Sequence, residues 1–215
     1  DRQIDFHELI QSLLGILVFD RISYNRVFNA RPWSKLILLY LLMMPASILY
    51  IAIDYALTPK TMGSVYASIG FIAYAGATIF FMIASLVLGG LATHFFCKMF
   101  GGKGGLKDTY LNLISVGDAT ILPSLAFMAL TLFTKIVILA GGLFAVIASL
   151  INIVLSLSFS IYAIALNVQG LSIIHDFDWW KALLSIILLV GFGIAVLVGV
   201  IIVFGVAVFS LSMSV

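Results

Sequence analysis

Two ionisable side chains lie in strongly apolar surroundings and are the first candidates for chemistry. Asp118 is predicted about two and a half turns into a membrane-crossing helix, where a charge is costly and often marks a pathway or a pair. His94, near the end of the preceding apolar segment, is expected at comparable depth. A histidine beside a carboxylate titrates near neutral pH, so this pair could relay protons or bind a cation. The alternatives are a purely structural pair and, if the helix begins nearer Val116, an interfacial Asp118.

A second candidate is a file of small and polar residues at steps of three or four, which places them on one face of a helix. The file consists of Ser149, Asn152, Ser156, Ser160, Ala163 and Asn167. Such side chains let helices approach closely and hydrogen-bond across the contact. If the file faced Asp118 across a cavity, it could instead line a track of water.

Motifs for cofactors, metals and catalysis are weak. The run Gly101–Gly105 has neither the spacing nor the preceding strand of a phosphate-binding loop, and it predicts a flexible turn with lysines near lipid phosphates. His94 and Cys97 form half of a metal site, and His175 could lie at the same level, but no second half has zinc spacing. We therefore expect no metal, no cofactor and no enzymatic activity.

The amino-acid composition indicates that most of the chain is surrounded by lipid. Of 215 residues, 63% are hydrophobic and 9% are charged, whereas soluble domains carry about 25% charged residues. A chain of this length cannot bury so much apolar surface, so the surface itself must face lipid. The formal net charge of +2 gives no argument for a nucleic-acid partner. We expect an all-α, polytopic membrane protein.

The chain divides into an N-terminal segment, residues 1–31, and a membrane domain, residues 32–215. In the first segment apolar residues recur with helical spacing from Phe6 to Leu17, which predicts an amphipathic helix. This helix either lies among lipid headgroups or packs on the end of the bundle. Apolar runs in the second segment predict five spans. Their expected bounds are 34–54, 64–97, 110–133, 139–167 and 182–212.

The basic residues predict the orientation. With the N-terminus inside the cell, nine of the eleven fall on the cytoplasmic side, as the positive-inside rule requires. These nine are Arg2, Arg21, Arg26, Arg31, Lys35, Lys98, Lys103, Lys107 and Lys181. Three tryptophans, Trp33, Trp179 and Trp180, fall on the same flank, where an aromatic belt would lie. The C-terminus is then expected outside.

The segment Phe96–Pro123, which runs Phe-Gly-Gly-Lys-Gly-Gly-Leu-Lys-Asp-Thr-Tyr and ends in Ile-Leu-Pro, resembles the signature of the Yip family of Rab-interacting membrane proteins. The stretch Ile161–Leu184 is also similar to that family. The resemblance implies five spans, a cytoplasmic N-terminus and, in eukaryotes, Golgi or endoplasmic reticulum membranes and an association with prenylated Rab GTPases. The N-terminal segment is short for a eukaryotic member, so we expect a prokaryotic-type member in a plasma membrane.

Two functions from different classes follow. The first is a non-catalytic adaptor or organiser whose cytoplasmic end binds a membrane-protein partner, a second copy or lipid. Its contact residues would be Lys98, Lys103, Lys107, Arg21, Arg26 and Arg31. The second is a small transporter, channel or lipid-handling protein that uses polar groups inside the membrane. These groups would be Asp118, His94, Asn152, Ser156, Ser160 and Asn167. An accessory subunit of a larger complex is a third interpretation.

Overall fold

The computed structural model describes residues 4–57, 71–139 and 141–212. Within these ranges the chain forms eight α-helices and no β-strand, which confirms the all-α prediction. The helices are α1 Phe6–Leu17, α2 Arg21–Ala30, α3 Trp33–Leu57, α4 Phe71–Met99, α5 Leu106–Ala119, α6 Ile121–Leu139, α7 Gly142–Ile174 and α8 Trp179–Ser212.

Four of these helices are long and apolar enough to cross a membrane: α3 over Trp33–Ile53, α6, α7, and α8 over Trp179–Val196. Helix α4 contains a shorter apolar stretch, Ile83–Met99. Most of the large apolar side chains that the structure describes on α7 and α8 are exposed, and so large an apolar surface is typical of a protein that faces lipid. The second expected span, 64–97, begins outside the described residues.

The N-terminal segment forms a helical hairpin, α1–α2, because aspartates cap both helices. The Asp5 side chain accepts a hydrogen bond from the Glu8 backbone, and Asp20 accepts from Ile22 and Ser23, which satisfies free N–H groups in each first turn. The two helices pack against each other, and both contact α5. The amphipathic helix expected in this segment is therefore present, and one of its faces is covered by the bundle.

The expected third span, 110–133, is divided into α5 and α6 at Thr120. Pro123 has no N–H to donate to the carbonyl of Ala119, so the regular hydrogen-bond ladder fails there. The Thr120 hydroxyl instead lies 3.0 Å from the Val116 carbonyl and 2.9 Å from the Gly117 carbonyl. The proline inside this span thus ends one helix and begins another.

Helix α5 is central, because it contacts α1, α2, α3, α4, α6 and α7. Around it lies the main apolar core, to which α1, α2, α3, α5 and α7 contribute fully buried side chains, among them Leu9, Tyr24, Leu36, Leu111 and Leu166. This core occupies only one end of the bundle. The α1–α2 hairpin, the α4–α5 turn and the α7–α8 turn meet at this end of the bundle, which we call the polar end.

Candidate functional site at the polar end

The glycine-rich turn between α4 and α5 packs directly against the turn between α7 and α8. A Cβ atom on Gly102 would lie 2.7 Å from Nδ1 of His175, and one on Gly104 would lie 2.6 Å from the Ile174 carbonyl oxygen. The Lys103 N–H donates to the His175 carbonyl at 2.8 Å. Only glycine permits so close an approach of two backbones. The expectation of a flexible turn is wrong, because this turn is fixed against α7.

Lys103 makes an ion pair across the same contact. Its Nζ lies 2.7 Å from the Asp176 carboxylate, and both side chains are 75% exposed. The hydrogen bond and charge of Lys103 lower the pKa of Asp176. Because water and salt screen so exposed a pair, its contribution to stability is small. Lys103 is therefore engaged in an ion pair within the chain. Lys98 and Lys107 also present exposed side chains at this end, and Nζ of Lys98 donates to the Lys103 carbonyl at 3.3 Å.

Thr109 connects two histidines from different helices. Its Oγ1 lies 3.1 Å from Nδ1 of His94 on α4 and 2.9 Å from Nε2 of His175 at the end of α7. The two imidazole centroids are 5.8 Å apart. Thr109 and His175 are fully buried. Burial, together with the charges of His94 and Lys98, lowers the pKa of His175 to about 4, so this imidazole is neutral at physiological pH.

Asp108 connects α5 to the N-terminal hairpin. Its carboxylate accepts from the Gly105 N–H at 2.8 Å, which caps α5, and from the Arg31 guanidinium, also at 2.8 Å. Arg31 adopts a left-handed backbone conformation, with φ of 46°, at the end of α2. The structure therefore engages Arg31, expected as a lipid contact, in an ion pair within the chain.

Tyr110 connects α5 to α4. Its ring packs over Gly90, where an added Cβ would lie 2.2 Å from a ring carbon, and its hydroxyl donates to the Val87 carbonyl at 2.6 Å. Further along α5, Asn112 occupies the space left open by Gly170 and hydrogen-bonds Asn167 on α7 at 3.3 Å. Gly90 of α4 and Gly170 of α7 thus provide the space for two polar side chains of α5.

Asp118 is 4% exposed, and neither carboxylate oxygen has a hydrogen-bond partner among the described residues. The structure does not bring His94 and Asp118 together, so the expected pair is wrong. His94 contacts Thr109, nine residues earlier on α5. Nine residues advance a helix by about 13 Å and turn it to the opposite face. Tyr40 on α3 is close enough to interact with the charge of Asp118.

The polar file on α7 is satisfied mainly within its own helix. The hydroxyls of Ser149, Ser156 and Ser160 donate to carbonyls one turn earlier, and the Asn167 amide donates to Ala163 at 3.0 Å. Asn152 differs, because its Oδ1 is buried without a partner among the described residues. Asn167 also lines a half-open cavity of about 140 Å³ with Thr93 of α4 and apolar side chains of α5, α7 and α8. This geometry supports the packing interpretation of the file.

The histidines do not assemble a metal centre with Cys97. The Cys97 side chain is buried and lies against Ser185 of α8. Within the ranges that the structure describes, no three His, Cys, Asp or Glu side chains are grouped to hold a metal ion.

The sequence reasoning missed the residues that organise this site. Polar residues recur at every third position of α5, and all four are buried: Thr109, Asn112, Ser115 and Asp118. A step of three drifts around a helix, so these side chains reach different neighbours instead of forming one track. The signal was present in the regular spacing, but only the central position of α5 explains why these four polar positions, which point in different directions, are all buried.

An all-helical chain with several lipid-exposed apolar helices and one polar, hydrogen-bonded end is an integral, multi-pass membrane protein. A family model described as the Yip1 domain matches residues 14–211, and the chain belongs to this family. The expected membership of the Yip family is thereby confirmed. Comparison with curated proteins and with solved structures gives no match.

Proposed function

We propose that this protein is a non-catalytic membrane scaffold whose polar end binds a partner protein. The observation that carries the proposal is the joining of three separate segments into one surface by Asp108, Thr109 and the glycine turn. A surface fixed in this way binds without the entropic cost of ordering loops. Lys98 and Lys107 supply exposed positive charge on it, which favours an acidic partner.

We further propose five spans, with the polar end in the cytoplasm and the C-terminus outside. Helix α4 would provide the fifth span, since it is 29 residues long and uncharged until Lys98. The basic residues of the hairpin and of the glycine turn lie at one end, as the positive-inside rule requires. The membrane would be a plasma membrane in a prokaryote and an endoplasmic reticulum or Golgi membrane in a eukaryote. The prokaryotic type stays a prediction.

The scaffold proposal is tested by quantitative co-purification from native membranes in mild detergent. The double variant Lys98→Gln/Lys107→Gln removes two exposed charges, and Lys98→Arg/Lys107→Arg keeps them. We expect the glutamine variant to lose specific partners several-fold and the arginine variant to retain them. Identical partner profiles would contradict the proposal. If the only protein retained is a second copy of the chain, the surface is a homo-oligomer interface instead.

Asp118 favours one alternative function, a proton- or cation-linked transporter or channel. A buried carboxylate without a hydrogen-bond partner is costly, and it is relieved by a proton or a cation. Proteoliposomes with the parent chain and with Asp118→Asn distinguish the functions. Proton or cation flux that disappears in the variant would support transport, and absence of flux in the parent would exclude transport of these ions.

A further inference from the structure

The apolar band of α7 locates the membrane boundary on this chain. Exposed large apolar side chains run from Leu143 to Ile164, a length of about 33 Å, which matches the hydrocarbon core of about 30 Å. Beyond Ile164 the character changes, because Leu166, Val168 and Leu171 are buried by neighbouring helices. The lipid-facing part of α7 therefore ends close to Tyr162 and Ile164.

Both ends of the α1 segment are attached at this boundary. The Leu17 carbonyl accepts a hydrogen bond from the Tyr162 hydroxyl, and the Phe19 ring packs edge-on against Tyr162 with centroids 5.9 Å apart. At the other end, the carbonyl of Ile4 accepts a hydrogen bond from Lys35, near the start of α3. The exposed apolar side chains of α3 begin shortly afterwards, at Ile37. A helix fixed at two points of the same boundary lies along the membrane surface.

Helix α1 has three faces, not two. Leu9, Leu13 and Ile16 are buried against the bundle. His7, Glu8 and Gln11 form a polar face. Between these lies an apolar stripe at helical spacing that the bundle leaves partly or fully exposed, and it consists of Phe6, Ile10, Leu14 and Leu17.

The stripe continues into the turn between α1 and α2, where Val18 is 73% exposed, and into the start of α2, where Ile22 is 68% exposed. Asp20, the acidic residue of this turn, is engaged as the cap of α2. Arg21, the next residue, is exposed, and its charge lowers the pKa of Asp176 after the larger effect of Lys103. A long basic side chain can keep its charge in water while its backbone lies at the level of lipid.

We propose that the apolar stripe of α1 and the α1–α2 turn insert into one leaflet at the boundary between headgroups and acyl chains. The insertion surface is continuous with the lipid-facing band of α7 through the contact of Phe19 with Tyr162. The polar face of α1 then faces water. The hairpin is therefore a lipid anchor as well as a part of the bundle, and this inference does not depend on the scaffold proposal.

Depth-dependent fluorescence quenching tests the proposal on the full chain in phosphatidylcholine vesicles. An environment-sensitive fluorophore is attached at Val18→Cys or Ile22→Cys, and at Gln11→Cys on the polar face as the matched control. The unmodified chain measures labelling of Cys97, which is fully buried. The quenchers are aqueous iodide and phosphatidylcholine with a nitroxide on the acyl chain near the headgroup.

We expect the lipid nitroxide to quench the fluorophore at positions 18 and 22 several-fold more strongly than at position 11, and iodide to show the reverse order. Equal access of iodide to positions 18 and 11 would overturn the proposal. Shielding of position 18 from both quenchers would also overturn it, because the turn would then be covered by protein. The second label, at position 22, keeps the test valid if the first variant fails to fold.

Discussion

Gly89 and Gly90 are adjacent in α4, yet the structure predicts opposite results when each is replaced by alanine. A Cβ on Gly90 would meet three ring carbons of Tyr110, at 2.2, 2.7 and 2.9 Å, whereas a Cβ on Gly89 meets no atom within 4 Å. Both changes bring the same gain in helix propensity, up to about 1 kcal/mol. The difference between the variants therefore isolates the clash.

The ring of Tyr110 cannot move aside without cost, because its hydroxyl donates to Val87. Inserting a methyl group into such a contact costs about 1–3 kcal/mol, and loss of the hydrogen bond would cost about 1 kcal/mol. We expect Gly90→Ala to unfold at a lower temperature than Gly89→Ala in detergent, by about 2–4 °C for each kcal/mol.

The double variant Gly90→Ala/Tyr110→Ala provides the internal control. If the ring is the obstacle, the alanine at position 90 should cost little once Tyr110 is absent, so the double variant should be destabilised by less than the sum of the two single variants. Equal melting temperatures for Gly89→Ala and Gly90→Ala would refute the packing described here. Equal costs of Gly90→Ala with and without the ring would refute it as well.

Three further predictions concern the contacts of α5. Thr109→Val keeps the shape but leaves a ring nitrogen of buried His175 without a partner, so the melting temperature should fall by the equivalent of about 1–3 kcal/mol, and an unchanged value would contradict the bridge. Burial lowers the pKa of His175 to about 4, so between pH 4 and about 6.5 the unfolded chain binds more protons than the folded one. This histidine should not affect the free energy of unfolding above pH 6.5, and it should lower that free energy by up to about 3 kcal/mol as the pH falls towards 4. His175→Gln should reduce this pH dependence of stability. Asp108→Ala removes the cap of α5 and the ion pair with Arg31, so hydrogen exchange should accelerate in α2 and at the start of α5, at a cost of about 1–2 kcal/mol, whereas unchanged exchange would show that the pair does not hold the hairpin.

Sequence reasoning reached the class and the family because both depend on local composition and on short motifs. Long apolar runs predict membrane helices without any knowledge of packing. The division at Thr120 was within reach, because Pro123 lies inside the expected third span, but a proline can either kink a helix or end it. The outcome depends on which groups bind the backbone carbonyls near the proline. Here the Thr120 hydroxyl donates to the carbonyls of Val116 and Gly117 where the helix is interrupted.

The separation of His94 from Asp118 could not be predicted, because the depth of each side chain was estimated by counting residues from uncertain helix ends. An error of a few residues changes both the level and the face of a side chain. The packing of the glycine turn against the end of α7 could not be predicted for a different reason. Glycine permits both a mobile loop and a close approach, and only the position of His175 and Ile174 distinguishes them.

The Asp-Thr-Tyr sequence near the start of α5 explains how the segments of the polar end are held together. Successive residues of a helix point about 100° apart, so three in a row cannot share a ligand, but they can reach three different neighbours. Asp108 binds the N-terminal hairpin through Arg31. Thr109 contacts α4 and the end of α7 through two histidines, and Tyr110 binds α4 about two turns before the first of these histidines. If the polar end binds a partner as we propose, that partner contacts a structure held by all three segments, so Thr109→Val in α5 should weaken binding at Lys98, which lies on α4.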